Sequence, residues 1–141
     1  MSDFILSSDF DVVAFTETWL GSTVDKTCIG ELVPSGYLIK HVPRSGKTRG
    51  GGVALIYKAS IILKMVTSSR DKEFLQFEHM DCQLNINRFV LRIAVVYRPP
   101  PTKENGLNTN VFLDKEWPTF LERHATLKKE TIIVGDINYL S

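Results

Sequence analysis

The chain has 141 residues, a length that suits one domain, and its 43% hydrophobic and 23% charged content is that of a soluble globular protein rather than a disordered one. A formal charge of +1 excludes a global field that would drive it onto nucleic acid, so any such attraction must come from a local basic cluster. Cys28 and Cys82 belong to no C-x-x-C or Cys/His spacing, which argues against zinc and for reduced thiols in a nuclear or cytoplasmic setting. Apolar runs are strand-sized and no basic region precedes an apolar stretch at the N-terminus, so neither a membrane span nor a signal peptide is expected and the protein is not read as secreted.

In chain order, residues 3–9 predict a short helix capped by Ser2 or Asp3, with Phe4, Ile5 and Leu6 turned inward. Asp11-Val12-Val13-Ala14-Phe15 is a strand that ends in Thr16-Glu17-Thr18-Trp19-Leu20, and residues 21–36 read as polar loop. Tyr37 to Val42 is a strand, residues 43–52 form a basic turn ending in three glycines, and Val53 to Tyr57 is again a strand. Ile61 to Val66, Phe74 to Met80 and Cys82 to Ile86 predict short antiparallel strands, with Asn85 to Arg88 turning tightly into a long strand over 89–97. Pro99-Pro100-Pro101 ends that strand, because three successive residues lack an N–H for a ladder.

Residues 108–126 then predict a helix with Val111, Phe112, Phe120, Leu121 and Ala125 on its inner side. Pro118 demands a kink or a later start, and Asn110 or Asp114 would cap either version. Thr131 to Val134 closes a strand, helix, strand unit, which implies parallel pairing. The whole is an α/β class with layers on both sides of its sheets, one domain over residues 1–141.

Three buried strands deliver polar groups just past their carboxyl ends, where ligands of α/β sheets gather. Glu17 suits a hard cation, since Mg²⁺ needs only one or two carboxylates beside water and phosphate; capping of the next turn is an equal alternative. Asp136 and Asn138 alternate onto one face of Gly135-Asp136-Ile137-Asn138, so that a carboxylate accepts a proton from water while an amide donates to a phosphate oxygen. An Asx-turn explains that pair as readily. Tyr97 and Arg98 offer a phenol and a guanidinium to phosphate, with Tyr97 in the site and Arg98 on a flanking phosphate. Arg44, Lys47 and Arg49 offer cations near a phosphodiester chain, although a solvated hairpin tip is the more frequent meaning of such a loop. His41, His79 and His124 share no motif and read as structural or exposed.

Taken jointly, D-V-V-A-F-T-E-T-W-L (residues 11–20), G-G-G-V-A-L-I-Y (50–57), V-Y-R-P-P (96–100) and V-G-D-I-N (134–138) resemble the endonuclease/exonuclease/phosphatase superfamily. The apurinic-type endonuclease domains of non-LTR retrotransposons are the nearest branch. The resemblance implies a four-layered, DNase I-like α/β sandwich of two mixed sheets, and Mg²⁺-dependent hydrolysis of DNA phosphodiesters. It assigns the metal to Glu17, the active-site tyrosine to Tyr97, water activation to Asp136 and the phosphate to Asn138. A site Asn before Met1, and an Asp and His after Ser141, have no counterpart in the chain. It therefore reads as a partial domain, expected to be nearly inactive alone and prone to self-association through uncovered sheet surface. A non-catalytic nucleic-acid- or protein-binding remnant is the alternative.

Overall fold

Among the residues described by the computed structural model, 2–21, 26–44 and 50–139, seven strands form two sheets. Strands β1 (Val12–Thr16), β2 (Tyr37–Val42) and β3 (Val53–Lys58) make an antiparallel sheet in the order β1-β3-β2. Strands β4 (Ile62–Ser68), β5 (Glu78–Ile86), β6 (Phe89–Arg98) and β7 (Glu130–Ile137) follow sequence order in the second sheet. There β6 and β7 pair in parallel, as the strand, helix, strand reading implied.

The core between the sheets follows from strand alternation. Val53, Leu55 and Tyr57 of β3 meet Met80, Cys82 and Leu84 of β5 and Ile93, Val95 and Tyr97 of β6. The other phase of the second sheet, with Ala94 and Val96, packs under Phe74, Phe77, Phe112 and Phe120. Strand β3 is buried on both faces, which is why it reads as an unbroken apolar run. On its outer face Ile56, with Phe15, Ile39 and Leu32, lines a cavity of about 230 Å³ beneath helix α2 (Lys26–Leu32). Helix, sheet, sheet, helix is the layer order of the α/β sandwich expected, although among the described residues only the second sheet is mixed and the first is wholly antiparallel.

Four local expectations change. Helix α2 stands where a loop was read, because seven residues are too few for a helical period to register. Strand β5 is continuous from Glu78, whereas two strands were expected either side of Asp81; Phe74 and Phe77 lie before it and pack on the helical layer. Leu6 of helix α1 (Ser2–Ser8) is exposed and only Ile5 is shown buried, while the side chains of Ser2, Asp3, Phe4 and Cys28 lie outside the described set. The hairpin between β5 and β6 is tighter than drawn: Ile86 pairs with Phe89, and Asn87 and Arg88 turn with φ of 46° and 71°, the two-residue geometry that matches strand twist.

Pro118 is accommodated by a wide turn. Helix α3 (Thr109–Val111) passes into a π-helical turn over Phe112–Glu116, where the Trp117 N–H donates to the carbonyl of Phe112, before α4 (Trp117–Ala125). The extra residue per turn shifts the phase, so His124 is buried with Phe120 while Leu121 and Ala125 face out. Asn108, rather than Asn110 or Asp114, supplies the cap by accepting from the Val111 N–H at 3.1 Å.

Between the second sheet and α4 lies a buried ionic cluster. Arg92 donates to both oxygens of Asp81 at 2.8 Å, and His124 Nε2 lies 2.9 Å from the same carboxylate. His124 Nδ1 lies 2.8 Å from the Phe120 carbonyl, so both ring nitrogens face acceptors, an arrangement that favours the protonated ring. Burial opposes that charge, but the bonds to Asp81 and Phe120 outweigh it and raise the His124 pKa. For Asp81 burial acts upward, and the bonds from His124 and Arg92 win and lower it. His79 is the reverse case: burial against Phe74, Phe77 and Phe120 lowers its pKa from 6.5 to about 4.

Between those two values the unfolded chain binds the His79 proton and the folded chain does not, so stability falls as pH drops from 6.5 toward 4. The loss from this residue is up to about 3 kcal/mol. His124, with its pKa raised, acts oppositely: its contribution is fully present below the unfolded value and is lost as pH rises through the folded one. Urea unfolding at about pH 7 and about pH 5 should show the acid loss shrinking in His79→Phe; an unchanged loss would contradict the assignment.

Candidate active site

The first carboxylate is placed by a strained turn. Past β1 the Thr18 N–H donates to the Gly52 carbonyl at 3.4 Å and the Trp19 N–H to that of Gly51 at 3.0 Å, extending contact with the chain entering β3. Glu17 and Trp19 adopt φ of 52° and 57°, left-handed values that cost about 1 kcal/mol or more each outside glycine. The turn brings the Glu17 carboxylate, from the first sheet, to the Tyr97 phenol of the second, which donates to Oε1 at 2.8 Å. Tyr97 is buried over the inter-sheet core. Burial first, and then the bond to Glu17, push its pKa up to about 12, so it stays a phenol at neutral pH.

Strand β7 brings the second carboxylate. The parallel register sets Asp136 opposite Tyr97 and Ile137 opposite Arg98, so Asp136 shares the Tyr97 face and is exposed at the rim. Gly135 makes the approach possible, since a Cβ there would overlap the Val96 carbonyl. Asn138 donates both its backbone N–H and its side-chain Nδ2 to the Arg98 carbonyl at 3.0 Å, leaving one amide hydrogen for a ligand.

Arg98 is placed differently from the expected phosphate contact. It is fully buried on the helix side of the sheet, donates to the carbonyls of Gln76 and Asn138, and lies 4.6 Å from the centre of the Phe112 ring. Strand alternation is the reason: with Tyr97 facing the other sheet, the next residue must face the helices. Its role is to position Asn138, and burial lowers its pKa.

Arg44 lies at the rim but engages Glu78, with Nη2 at 2.9 Å and Nε at 3.2 Å from Oε2, and its guanidinium stands 6.0 Å from the Tyr97 ring. Lys47 and Arg49 lie outside the described residues. Glu78 is the participant that sequence reasoning missed. It pairs with Tyr97 across β5 and β6 and accepts the Gly52 N–H at 2.9 Å, so it ties the glycine turn to the second sheet. Nothing in F-L-Q-F-E-H-M distinguishes it; the register does. The glycines admit these contacts: a Cβ at Gly51 would run into the Arg44 guanidinium, and its φ of 70° strains any other residue.

Glu17, Tyr97, Asp136 and Asn138 thus come to one rim, and Arg98 and Arg44 brace it from behind and beside. Among the described residues no three His, Cys, Asp or Glu side chains gather as a ready-made metal cage. The donors suit Mg²⁺ nonetheless: an exposed carboxylate held by a phenol, with a second beyond it, meets the one or two carboxylates that Mg²⁺ takes alongside water and phosphate.

The model of the Endonuclease/Exonuclease/phosphatase family matches residues 1–141. Among solved structures, the human Nocturnin catalytic domain with bound sulfate superposes with a TM-score of 0.61 at 17% identity, covering 95% of this chain and 53% of that one. Humanized D. rerio TDP2 gives 0.57 at 13% identity, covering 95% and 54%. D. rerio TDP2 complexed with single-strand DNA product gives 0.57 at 12%, covering 94% and 49%. The chain therefore spans about half the length of these structures, and at such identities the likeness is one of DNase I-like fold. No curated protein matches it by sequence.

If Arg98 holds the end of β7, Arg98→Leu leaves the Gln76 and Asn138 carbonyls without their donor and should cost about 2–4 kcal/mol in urea unfolding. A loss under about 0.5 kcal/mol, the range of ordinary surface substitutions, would refute the clamp.

Proposed function

This chain belongs to the endonuclease/exonuclease/phosphatase family, and we propose that its rim is part of a Mg²⁺-dependent phosphodiesterase site acting on DNA. The observation that carries this reading is the convergence of three strand ends, with the Tyr97 phenol bonded to Glu17 and set opposite Asp136 in register. The tetrahedral anion in the Nocturnin structure and the DNA product in the TDP2 complex support a phosphate ligand and a nucleic-acid substrate. T-E-T-W-L and Y-R-P-P support descent from a non-LTR retrotransposon endonuclease. A DNA substrate and the free, buried Cys82 support a nuclear or cytoplasmic setting.

Mg²⁺ held by Glu17 would supply charge neutralisation at a phosphoryl oxygen. Asp136, exposed and acceptor-only when ionised, is placed to take a proton from the attacking water. The free amide hydrogen of Asn138 donates to a phosphate oxygen, where charge grows in the transition state. Tyr97 holds a single proton and serves either Glu17 or a phosphate oxygen.

The chain spans about half the length of the Nocturnin and TDP2 structures, and the 141 residues alone are proposed to be a poor or inactive nuclease. Exposed Ile62, Phe89 and Ile132 on the second sheet support self-association at high concentration.

Supercoiled plasmid with Mg²⁺ should show little nicking by this chain, while Mn²⁺ titrations followed by water-proton relaxation should show a site that Glu17→Gln weakens roughly tenfold or more, the least that loss of even an outer-shell partner costs. Robust nicking abolished by Asp136→Ala would refute the inactivity and keep the phosphodiesterase reading. Mn²⁺ binding unaffected by Glu17→Gln would remove Glu17 from the site.

A further inference from the structure

The side chain two residues beyond Glu17 is a large aromatic left in solvent: Trp19 is 66% exposed. Exposure alone is common for a surface aromatic, but this one is held still. Its N–H is bonded to the Gly51 carbonyl, its φ is 57°, and the preceding Thr18 is bonded to Gly52. Gly52 in turn donates to Glu78, which pairs with Tyr97, so the indole is anchored through backbone to the same rim as the candidate site.

The indole also has a supported side. A Cβ at Gly50 would sit 3.2 Å from Cζ2 and 3.3 Å from Cε2 of Trp19, tighter than ordinary contact, so the indole lies close over a residue that carries no side chain. The indole lies beside glycine and is still two-thirds exposed, which leaves aromatic surface open to solvent. A second aromatic, Tyr139, just past Asp136 and Asn138 at the end of β7, is 53% exposed.

We propose that Trp19 is a stacking platform for a nucleobase next to the phosphate bound at the Glu17 and Tyr97 rim. The proposal rests on the phosphodiesterase reading and adds base contact to it. Stacking tolerates any base, because every base has a π face, so Trp19 contributes affinity and register with little sequence preference. It also favours an unpaired or frayed strand over an intact duplex, whose bases are already stacked.

The test compares the full chain binding, with Mg²⁺, to an end-labelled single-stranded oligodeoxynucleotide and to an equal-length strand of abasic tetrahydrofuran units, read by fluorescence anisotropy. Wild type is expected to prefer the base-bearing strand. Trp19→Ala should weaken that strand about 10-fold and leave the abasic strand unchanged, with Trp19→Phe retaining most of the affinity. Equal wild-type affinity for the two strands overturns the platform, as does a Trp19→Ala loss equal on both, which would make the indole a support of the turn or a contact for a protein. Glu17-dependent Mn²⁺ binding that persists in those cases leaves the phosphodiesterase reading standing. A wild-type chain that binds neither Mn²⁺ nor either strand overturns both.

Discussion

The parallel contact between β6 and β7 is the constraint on which the rim depends. It brings Asp136 level with Tyr97 and the Asn138 amide onto the Arg98 carbonyl. The contact is close enough at one point to require glycine, for any Cβ at Gly135 would meet the Val96 carbonyl. A one-residue slip would send Asp136 to the helix face, because strand side chains alternate, and the second carboxylate would leave the site.

Strand β6 serves both sides of its sheet at the same level. Tyr97 points between the sheets and bonds the carboxylate of a turn that belongs to the first sheet, whereas Arg98 points into the helical layer and holds the end of β7. The two sheets are joined near the rim by polar contacts as well as by their apolar core. Tyr97 reaches Glu17, and Glu78 reaches both Arg44 and the Gly52 N–H. The strained backbone at Glu17 and Trp19 is maintained by these contacts, consistent with a turn shaped for a ligand rather than for its own stability.

Behind the rim the helical layer carries buried charge. Asp81, Arg92 and His124 satisfy one another at 2.8 to 2.9 Å, and removing one would strand the others in a poor solvent for ions. Such a cluster specifies which face of β5 and β6 meets α4, since no other packing would match its bonds. That a charged Asp81 sits mid-strand explains why β5 reads as two strands when its residues are considered alone.

The elements that carry the site were legible in the sequence because their physics is local. An unbroken apolar run set β3, largely apolar runs set β6 and β7, alternation set Asp136 and Asn138 on one side, and three prolines ended the sheet after Arg98. Glu17, Tyr97, Asp136 and Asn138 were readable as strand-end polar groups for the same reason. What needed the tertiary structure was every relation between distant segments: the pairing of Glu78 with Tyr97, the burial of Arg98, the union of Asp81 with Arg92 and His124, and the phase shift that buries His124 in place of Leu121. A sequence states which side chains a strand or helix presents. Only packing decides which face finds a partner, because that choice is made by neighbours far along the chain.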